Sequence, residues 1–300
     1  MSFHSGEIRV QTQAGVREEA QRLCNVISST IKSSAQEFLH TQQLAIASTV
    51  DSKARVWASL LTGKPGFVEV LNTQTIQINT TPIQTDPLHQ NLPNNNNIGL
   101  LVIDLANRRR LRLNGKAEVN QENIKVEIQQ VFFNCPKYIQ IRHIEKTVID
   151  SLEQPETFIR DALSETNQLW ITQADTFFIA SYHPESGADA SHRGGLPGFV
   201  QVVNSNKLVF PDYSGNNMFQ TFGNLIVNPN AGLLFIDFEQ GHTLQLTGKA
   251  KVIWDIERLS EFAGAQRIVE FDIEQVLEIK NATPLCWHFG EYSPVNPSSR

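Results

Sequence analysis

The sequence predicts a mainly β chain, α+β in class. Two tandem antiparallel barrels, closed or partly closed, each carry a covering helix and pack together as an internal pseudo-dimer. Two observations carry this reading. First, short motifs recur in the same order at a nearly constant offset. Pro65-Gly66-Phe67-Val68 returns as Pro197-Gly198-Phe199-Val200, and Gly99-Leu100-Leu101-Val102-Ile103-Asp104 returns as Gly232-Leu233-Leu234-Phe235-Ile236-Asp237. Gly115-Lys116-Ala117 and Ile46-Ala47-Ser48 have counterparts at Gly248-Lys249-Ala250 and Ile179-Ala180-Ser181. Repetition of that kind marks a duplicated unit. Second, each unit is built from short apolar or alternating runs separated by turn residues, the pattern of an antiparallel barrel.

In the first unit, strands are expected over 44–50, 56–61, 66–71 and 75–79, the last alternating cleanly as Thr-Ile-Gln-Ile-Asn. Asp86 followed by Pro87 marks a short helix, with Asp as cap and Pro in the first turn. The run 98–105 is almost continuously apolar, as a strand buried on both faces would be. Strands over 111–119 and 124–132 complete six or seven. Ahead of this barrel, Val16, Leu23, Ile27, Ile31 and Phe38 recur at helical spacing and predict one helix over 16–39. A second helix is expected to begin near Pro155-Glu156 and to run through Leu169. The units divide within 144–154, giving a first domain over 1–150 and a second over 151–283. The proline- and serine-rich segment 284–300 reads as a loosely ordered tail. Two such copies packed face to face bury the surfaces that separate chains would share, and a homodimer of the whole chain is a further expectation.

The chain has 300 residues, 40% of them hydrophobic and 19% charged, which suits a globular protein with a substantial core. A net charge of −6 argues against a nucleic-acid or anionic-membrane partner but leaves room for a small anion in a local pocket. No run approaches the about 18 apolar residues of a membrane span. The N-terminus lacks a basic-then-apolar leader. Three scattered cysteines form neither a disulfide framework nor a metal pair. Together these point to a cytoplasmic protein with reduced thiols and no metal.

The stretch 210–225 is the most informative. It leaves a strand at Phe210, turns through Pro211-Asp212 and Ser214-Gly215-Asn216-Asn217, and then regains helical spacing. Small polar residues on a turn that feeds a helix gather backbone N–H groups with hydroxyl and amide donors, which is a means of holding a phosphate. A plain N-capped helix is the alternative reading. The first unit has no Ser-Gly-Asn-Asn turn, offering Thr81-Pro82-Ile83-Gln84-Thr85 instead, and it has Trp57–Leu61 in place of Asp189–Arg193. One phosphate site per chain is therefore expected, with the first unit supplying the opposite wall through Trp57 and Lys64 or through 134–138. Arg108-Arg109-Arg110 falls between two expected strands, at a hairpin by pattern, and reads as a solvated turn.

Over 191–200 and 210–217, and in the strands 231–238 and 244–250 that follow, the second unit resembles the pyridoxamine 5′-phosphate oxidase-like, FMN-binding split-barrel family. Asn134-Cys135-Pro136-Lys137-Tyr138 is similar to a cysteine-proline-basic segment of some members. The resemblance spans about 36–145 and 170–280. It implies a split barrel, FMN as cofactor and an oxidoreductase whose substrate is unknown. Carried onto this chain, it implicates Ser191, His192 and Arg193 on the strand side. On the turn it implicates Tyr213, Ser214, Gly215, Asn216 and Asn217, with Thr221 and Asn224 further along the helix and Lys137 across from them. Where the oxidase has basic residues on the turn, this chain has Gly-Asn-Asn. A non-catalytic or sensory flavin module is an alternative. So is a split barrel for deazaflavin or for heme, with His183, His192 or His242 as heme ligands.

Overall fold

The computed structural model describes residues 2–80, 83–120, 123–145 and 154–297. The chain opens with helices α1 (Ser5–Gln13), α2 (Arg17–Leu23) and, after a short 3-10 turn, α3 (Ser33–Thr41). The first sheet follows: β1 (Leu44–Val50), β2 (Val56–Thr62), β3 (Val68–Asn72), β4 (Thr75–Ile78), helix α4 (Pro87–Asn91), β5 (Asn97–Asp104), β6 (Arg109–Val119) and β7 (Ile124–Asn134). After β8 (Arg142–Ile144), β9 (Glu156–Arg160) and α5 (Glu165–Gln173), the second sheet repeats the plan. It consists of β10 (Thr176–His183), β11 (Gly187–Gly194), β12 (Gln201–Asn204), β13 (Lys207–Asp212), then, after helix α6 (Gln220–Val227), β14 (Asn230–Asp237), β15 (His242–Ile253) and β16 (Arg267–Lys280), with β9 as an eighth strand beside β16. A last strand, β17 (Trp287–Phe289), pairs with β8.

The two sheets have one topology. Their orders, β2-β1-β5-β6-β7-β4-β3 and β11-β10-β14-β15-β16-β13-β12, map strand for strand. Among the described residues no ladder joins the two end strands, so each barrel is split. Each encloses its own apolar core, one around Ile76, Ile98 and Leu113 and the other around Phe177, Phe210 and Phe235. A third cluster joins Ile46, Val56 and Leu101 of the first copy to Phe178, Ala190 and Leu234 of the second, and this is the pseudo-dimer interface.

That interface depends on a pair of matched glycines. A Cβ on Gly99 would stand 2.6 Å from the backbone of Ala188 and Asp189, and a Cβ on Gly232 would stand 2.7–2.8 Å from the backbone of Val56, Trp57 and Ala58. Each glycine lets one copy's β5 or β14 lie against the other's β11 or β2. Thr247 also donates from Oγ1 to the Val56 carbonyl across the join (2.8 Å).

The barrel strands and the Asp86-capped helix lie where the sequence puts them, but three expectations need correction. The single helix over 16–39 is broken. Ser28 exchanges backbone hydrogen bonds with Val131, and the Ile31 amide donates to the Thr73 carbonyl, so the Ser- and Thr-rich middle joins the first sheet. The helix expected from Pro155 starts as β9, because Thr157, Phe158 and Ile159 pair with the edge of β16. A Ser164–Asn167 capping box then starts α5. Nor is 284–297 a loose tail. Leu285 and Trp287 are buried in the interface cluster, and the Ser293 amide donates to Gln140 Oε1 (2.7 Å). Most of the 144–154 junction lies outside the described residues. Among those described, no helix is long and apolar enough to cross a membrane.

Candidate functional site

The site forms where the two copies meet at one end of the interface. From the second copy come β11, which presents Ser191, His192 and Arg193, and the turn between β13 and α6. Met218 donates its amide to Asn216 Oδ1 (3.1 Å), an Asx turn that bends the chain sharply. Asn217 and Phe219 both take left-handed backbone, at φ 59° and 61°. Asn tolerates that region; a bulky Phe does so only where its surroundings hold it there. From the first copy come Arg110 and Arg112 on β6 and the loop after β7 with Cys135, Lys137 and Tyr138. Tyr138 Oη donates to the Ser214 carbonyl (3.0 Å), fastening that loop to the turn. The cavity measures about 100 Å³.

Its charge is opposite in sign to that of the whole chain. Arg110, Arg112, Lys137, Arg193 and Arg267 line it together with Asp212, and Asp189 pairs with Arg112 beside it. Arg112 grips Asp189 with Nη1 (3.1 and 3.0 Å) and donates from Nη2 to Ser191 Oγ (2.6 Å). Arg193 Nη1 donates to the same oxygen (2.7 Å) and to the His192 carbonyl (3.0 Å). With both lone pairs of Ser191 Oγ engaged, its proton is left to donate to a ligand. Arg267 pairs with Asp212 (2.8 Å) while its guanidinium sits between the rings of Phe219 (4.7 Å) and Trp254 (5.3 Å). Arg110 donates from Nε to the Cys135 carbonyl (3.1 Å) and has no carboxylate partner among the described residues.

Crowding of like charge leaves its mark on the titrating groups. Burial, then the guanidinia of Arg112 and Arg193, push Arg110 down to about 10, while Cys135 opposes the shift. Arg193 is lowered by burial first. His192 is held well below its ordinary range by burial and by Arg110, Arg193 and Arg142, so at neutral pH it is an uncharged imidazole. Buried donors remain unsatisfied at this spot: Arg193 Nε, Arg112 Nε and Gln220 Nε2, together with both ring nitrogens of His192. Such groups are costly unless something binds them. An anion would satisfy the first three.

Of the residues singled out in the sequence, Lys137, Ser191, His192, Arg193, Tyr213, Gly215, Asn216, Asn217 and Thr221 all line the cavity. Ser214 does not: it offers its carbonyl to Tyr138 and Lys137 and faces an adjoining groove of about 430 Å³, which shares Asn217, Phe219 and Arg267 with the cavity. Asn224 also lies outside, donating to Ser181 Oγ (3.0 Å). Asn91 makes the matching bond to Thr49 (3.0 Å) in the copy that lacks the cradle, so this bond ties helix to strand in both copies. Of the other histidines, His183 Nδ1 accepts from the Glu185 and Ser186 amides, and His242 Nδ1 accepts from the Asn281 amide.

Sequence reasoning missed Arg112 and Arg267, and it placed Arg110 in a solvated turn. That reading is corrected: Arg110 is already in β6, and alternation sends it and Arg112 to one face, toward the cavity. The spacing Arg110-x-Arg112 was the available signal. In the mirrored location Thr243 and Gln245 take their registers, and Gln245 donates to Asp86 (2.6 Å). Asp86 is buried there with its carboxyl pushed upward by that burial, so the second location offers an anion no cationic cradle.

Behind the cradle, α1 carries an opposed pair of titrating groups. Burial lowers His4 to about 4, and burial raises Glu7 to about 7. The His4 contribution rises with pH from about 4 to 6.5, since the unfolded chain binds the extra proton in that window. The Glu7 contribution falls from about 4.5 to 7, since there the folded chain holds it. The two nearly cancel. Glu7→Gln keeps the capping geometry and removes only one of them, so its stability should climb by about 3 kcal/mol between pH 4.5 and 7 relative to wild type. Denaturant titrations at several pH values would read this; parallel pH profiles for the two proteins would refute it.

The family model for pyridoxamine 5′-phosphate oxidase matches residues 31–141 and again 163–281, once for each sheet and over more than half of the chain. The chain belongs to the pyridoxamine 5′-phosphate oxidase family. Solved structures similar to it include a Clostridium acetobutylicum protein related to general stress protein 26 of B. subtilis, of the pyridoxinephosphate oxidase family. It has 9% identity and a TM-score of 0.28, and the match covers 40% of this chain and 89% of that one. HutZ, the heme storage protein from Vibrio cholerae, matches with 14% identity and a TM-score of 0.29, covering 37% and 89%. An F420 reductase matches with 13% identity and a TM-score of 0.28, covering 38% and 95%. None of the curated proteins matches the chain. Within the family, this member carries two barrels in one polypeptide, and its cationic cradle uses residues of both.

Proposed function

We propose that the chain binds FMN by its phosphate in this cradle and serves as a flavin-dependent oxidoreductase. One observation carries the reading: cationic groups outnumber carboxylates among the residues lining the cavity, and two of those residues, Arg193 and Gln220, hold side-chain donors (Nε and Nε2) that no group among the described residues accepts from. Guanidinium forks suit phosphate oxygens in both geometry and charge. A cavity of about 100 Å³ suits a phosphate group and not a ring system. With the adjoining groove of about 430 Å³, the space reaches the several hundred Å³ of a small-molecule site.

Bound FMN would supply hydride transfer at its ring, while the protein supplies orientation and electrostatics. Arg193 and Arg110 hold positive charge in the cavity wall. Ser191 and Gln220 add neutral donors, and Asp189 and Asp212 fix Arg112 and Arg267 in place. His192, neutral and buried, accepts or donates without adding charge. The family typically uses flavin, in keeping with this reading, and the reaction partner is a small molecule.

The purified protein should be yellow, or should become so with added FMN, with the visible bands of an oxidised flavin. Arg193→Ala should weaken FMN binding by about tenfold to a hundredfold, the worth of one charge-assisted hydrogen bond. Arg193→Lys should recover part of the loss, keeping charge without the fork. A colourless protein that FMN titration leaves unchanged would falsify the proposal.

A further inference from the structure

The arm formed by α1 and α2 lies outside the residues matched by the family model and precedes the first copy in sequence, yet it is docked on the second copy, against α6. The contact is close. A Cβ on Gly223 would stand 2.6 Å from the Glu7 backbone nitrogen, and a Cβ on Gly6 would meet the Gly223 carbonyl. His4 Nε2 lies 3.0 Å from Asn224 Oδ1, and its ring stacks on His183 at 4.0 Å. Two further bonds reach the turn itself. Gln11, fully buried, donates from Nε2 to the Met218 carbonyl (2.9 Å), and its own Oε1 accepts from Arg17 (2.8 Å). Asn217 Nδ2 donates to Glu19 Oε2 (3.1 Å).

These bonds fall on the part of the cradle least able to hold its own shape. Met218 lies between the two left-handed residues Asn217 and Phe219, and Phe219 begins α6 with no side-chain cap. A Phe in that conformation persists only where neighbours over-determine it. The first copy, without the cradle, has no such turn: its equivalent helix starts at an Asp86 cap with ordinary extended backbone.

We infer that the N-terminal arm is a clasp on the anion-binding turn, with Gln11 as its positioning residue. Its bond to the Met218 carbonyl holds 217–219 in the left-handed pair, which sets Gln220 on the cavity wall and Thr221 beside it, its hydroxyl donating to Asp189 (3.5 Å). The inference rests on the phosphate reading for its functional consequence and on the arm's own contacts for its structural one. It makes a segment outside the family's barrel part of the binding site.

The test compares wild type, Gln11→Ala and Gln11→Met as full-length proteins, Met keeping the volume of Gln without its donor. Hydrogen exchange of the unliganded proteins and FMN affinity are both measured. Both variants should exchange amides of 216–223 at least about tenfold faster, with β14 and β15 unchanged, and should bind FMN about tenfold more weakly. Glu19→Ala, an exposed change that leaves the core intact, should show the same pattern at about threefold. Unchanged exchange in 216–223, recovery by Met, or a loosened turn with full FMN affinity would each overturn the clasp. Wild type that binds no FMN while the turn still loosens in the variants upholds the clasp on the turn and removes the flavin reading instead.

Discussion

Replacing Arg112 by alanine is expected to destabilise the protein by about 3–5 kcal/mol and to abolish measurable FMN binding. Arg112 and Asp189 are both buried, at 7% and 3% exposure, and each is the other's ion-pair partner. Taking away one member strands a carboxylate in the interior, which costs far more than the pair itself contributes. The double variant Arg112→Ala/Asp189→Asn separates the two consequences. It removes the stranded charge and should regain most of the lost stability, while FMN binding stays absent because the cradle has lost the guanidinium that orients Ser191 and Gln220. Urea denaturation reads the first and FMN titration the second. If the double variant binds FMN like wild type, Arg112 holds the fold and not the ligand.

Gly232→Val is expected to produce the second large effect, on the joining of the copies. The three atoms nearest to a Cβ added there, all within 3 Å, belong to the backbone of Val56, Trp57 and Ala58 in the other copy, so no side chain can swing aside. The two copies must separate locally, and the loss should sit at or beyond the upper end of the about 1–3 kcal/mol typical of overpacked cores. Because the cradle draws residues from both copies, FMN affinity should fall with stability although Gly232 is not part of the cavity. Gly99→Val, the pseudo-symmetric change, should behave alike. Thermal melts and FMN titration of both variants give the result, and wild-type values for either one would remove the matched-glycine account of the interface.

Duplication made the barrels legible in the sequence, since Gly99–Asp104 and Gly232–Asp237 announce the same strand twice. The alternation of Thr75–Ile78 and the Asp86-Pro87 cap are equally local signals, and local signals survive folding. The break in the helix expected over 16–39 was not legible for the converse reason. Ile27 and Ile31 have helical spacing, but Ser28 gains two backbone bonds by joining Val131, a partner remote in sequence. Trp287, in a segment rich in proline, is buried by an interface that exists only once both barrels have formed.

The cradle divides in the same way. Residues on the Ser191–Arg193 strand and on the 213–217 turn carry a contiguous motif and could be read directly. Arg110, Arg112 and Arg267 come from strands distant in the chain, and only their position facing the same cavity gives them a shared purpose. Asn224 illustrates the opposite error: adjacent to the motif in sequence, it is turned by the helix toward Ser181 and His4.

The most direct measurement compares FMN with riboflavin, which has the same ring system and lacks the phosphate. If the cradle holds the phosphate, FMN should bind at least about a hundredfold more tightly than riboflavin, and inorganic phosphate should compete with FMN at millimolar concentration. Equal affinity for the two flavins, with no competition by phosphate, would contradict the account.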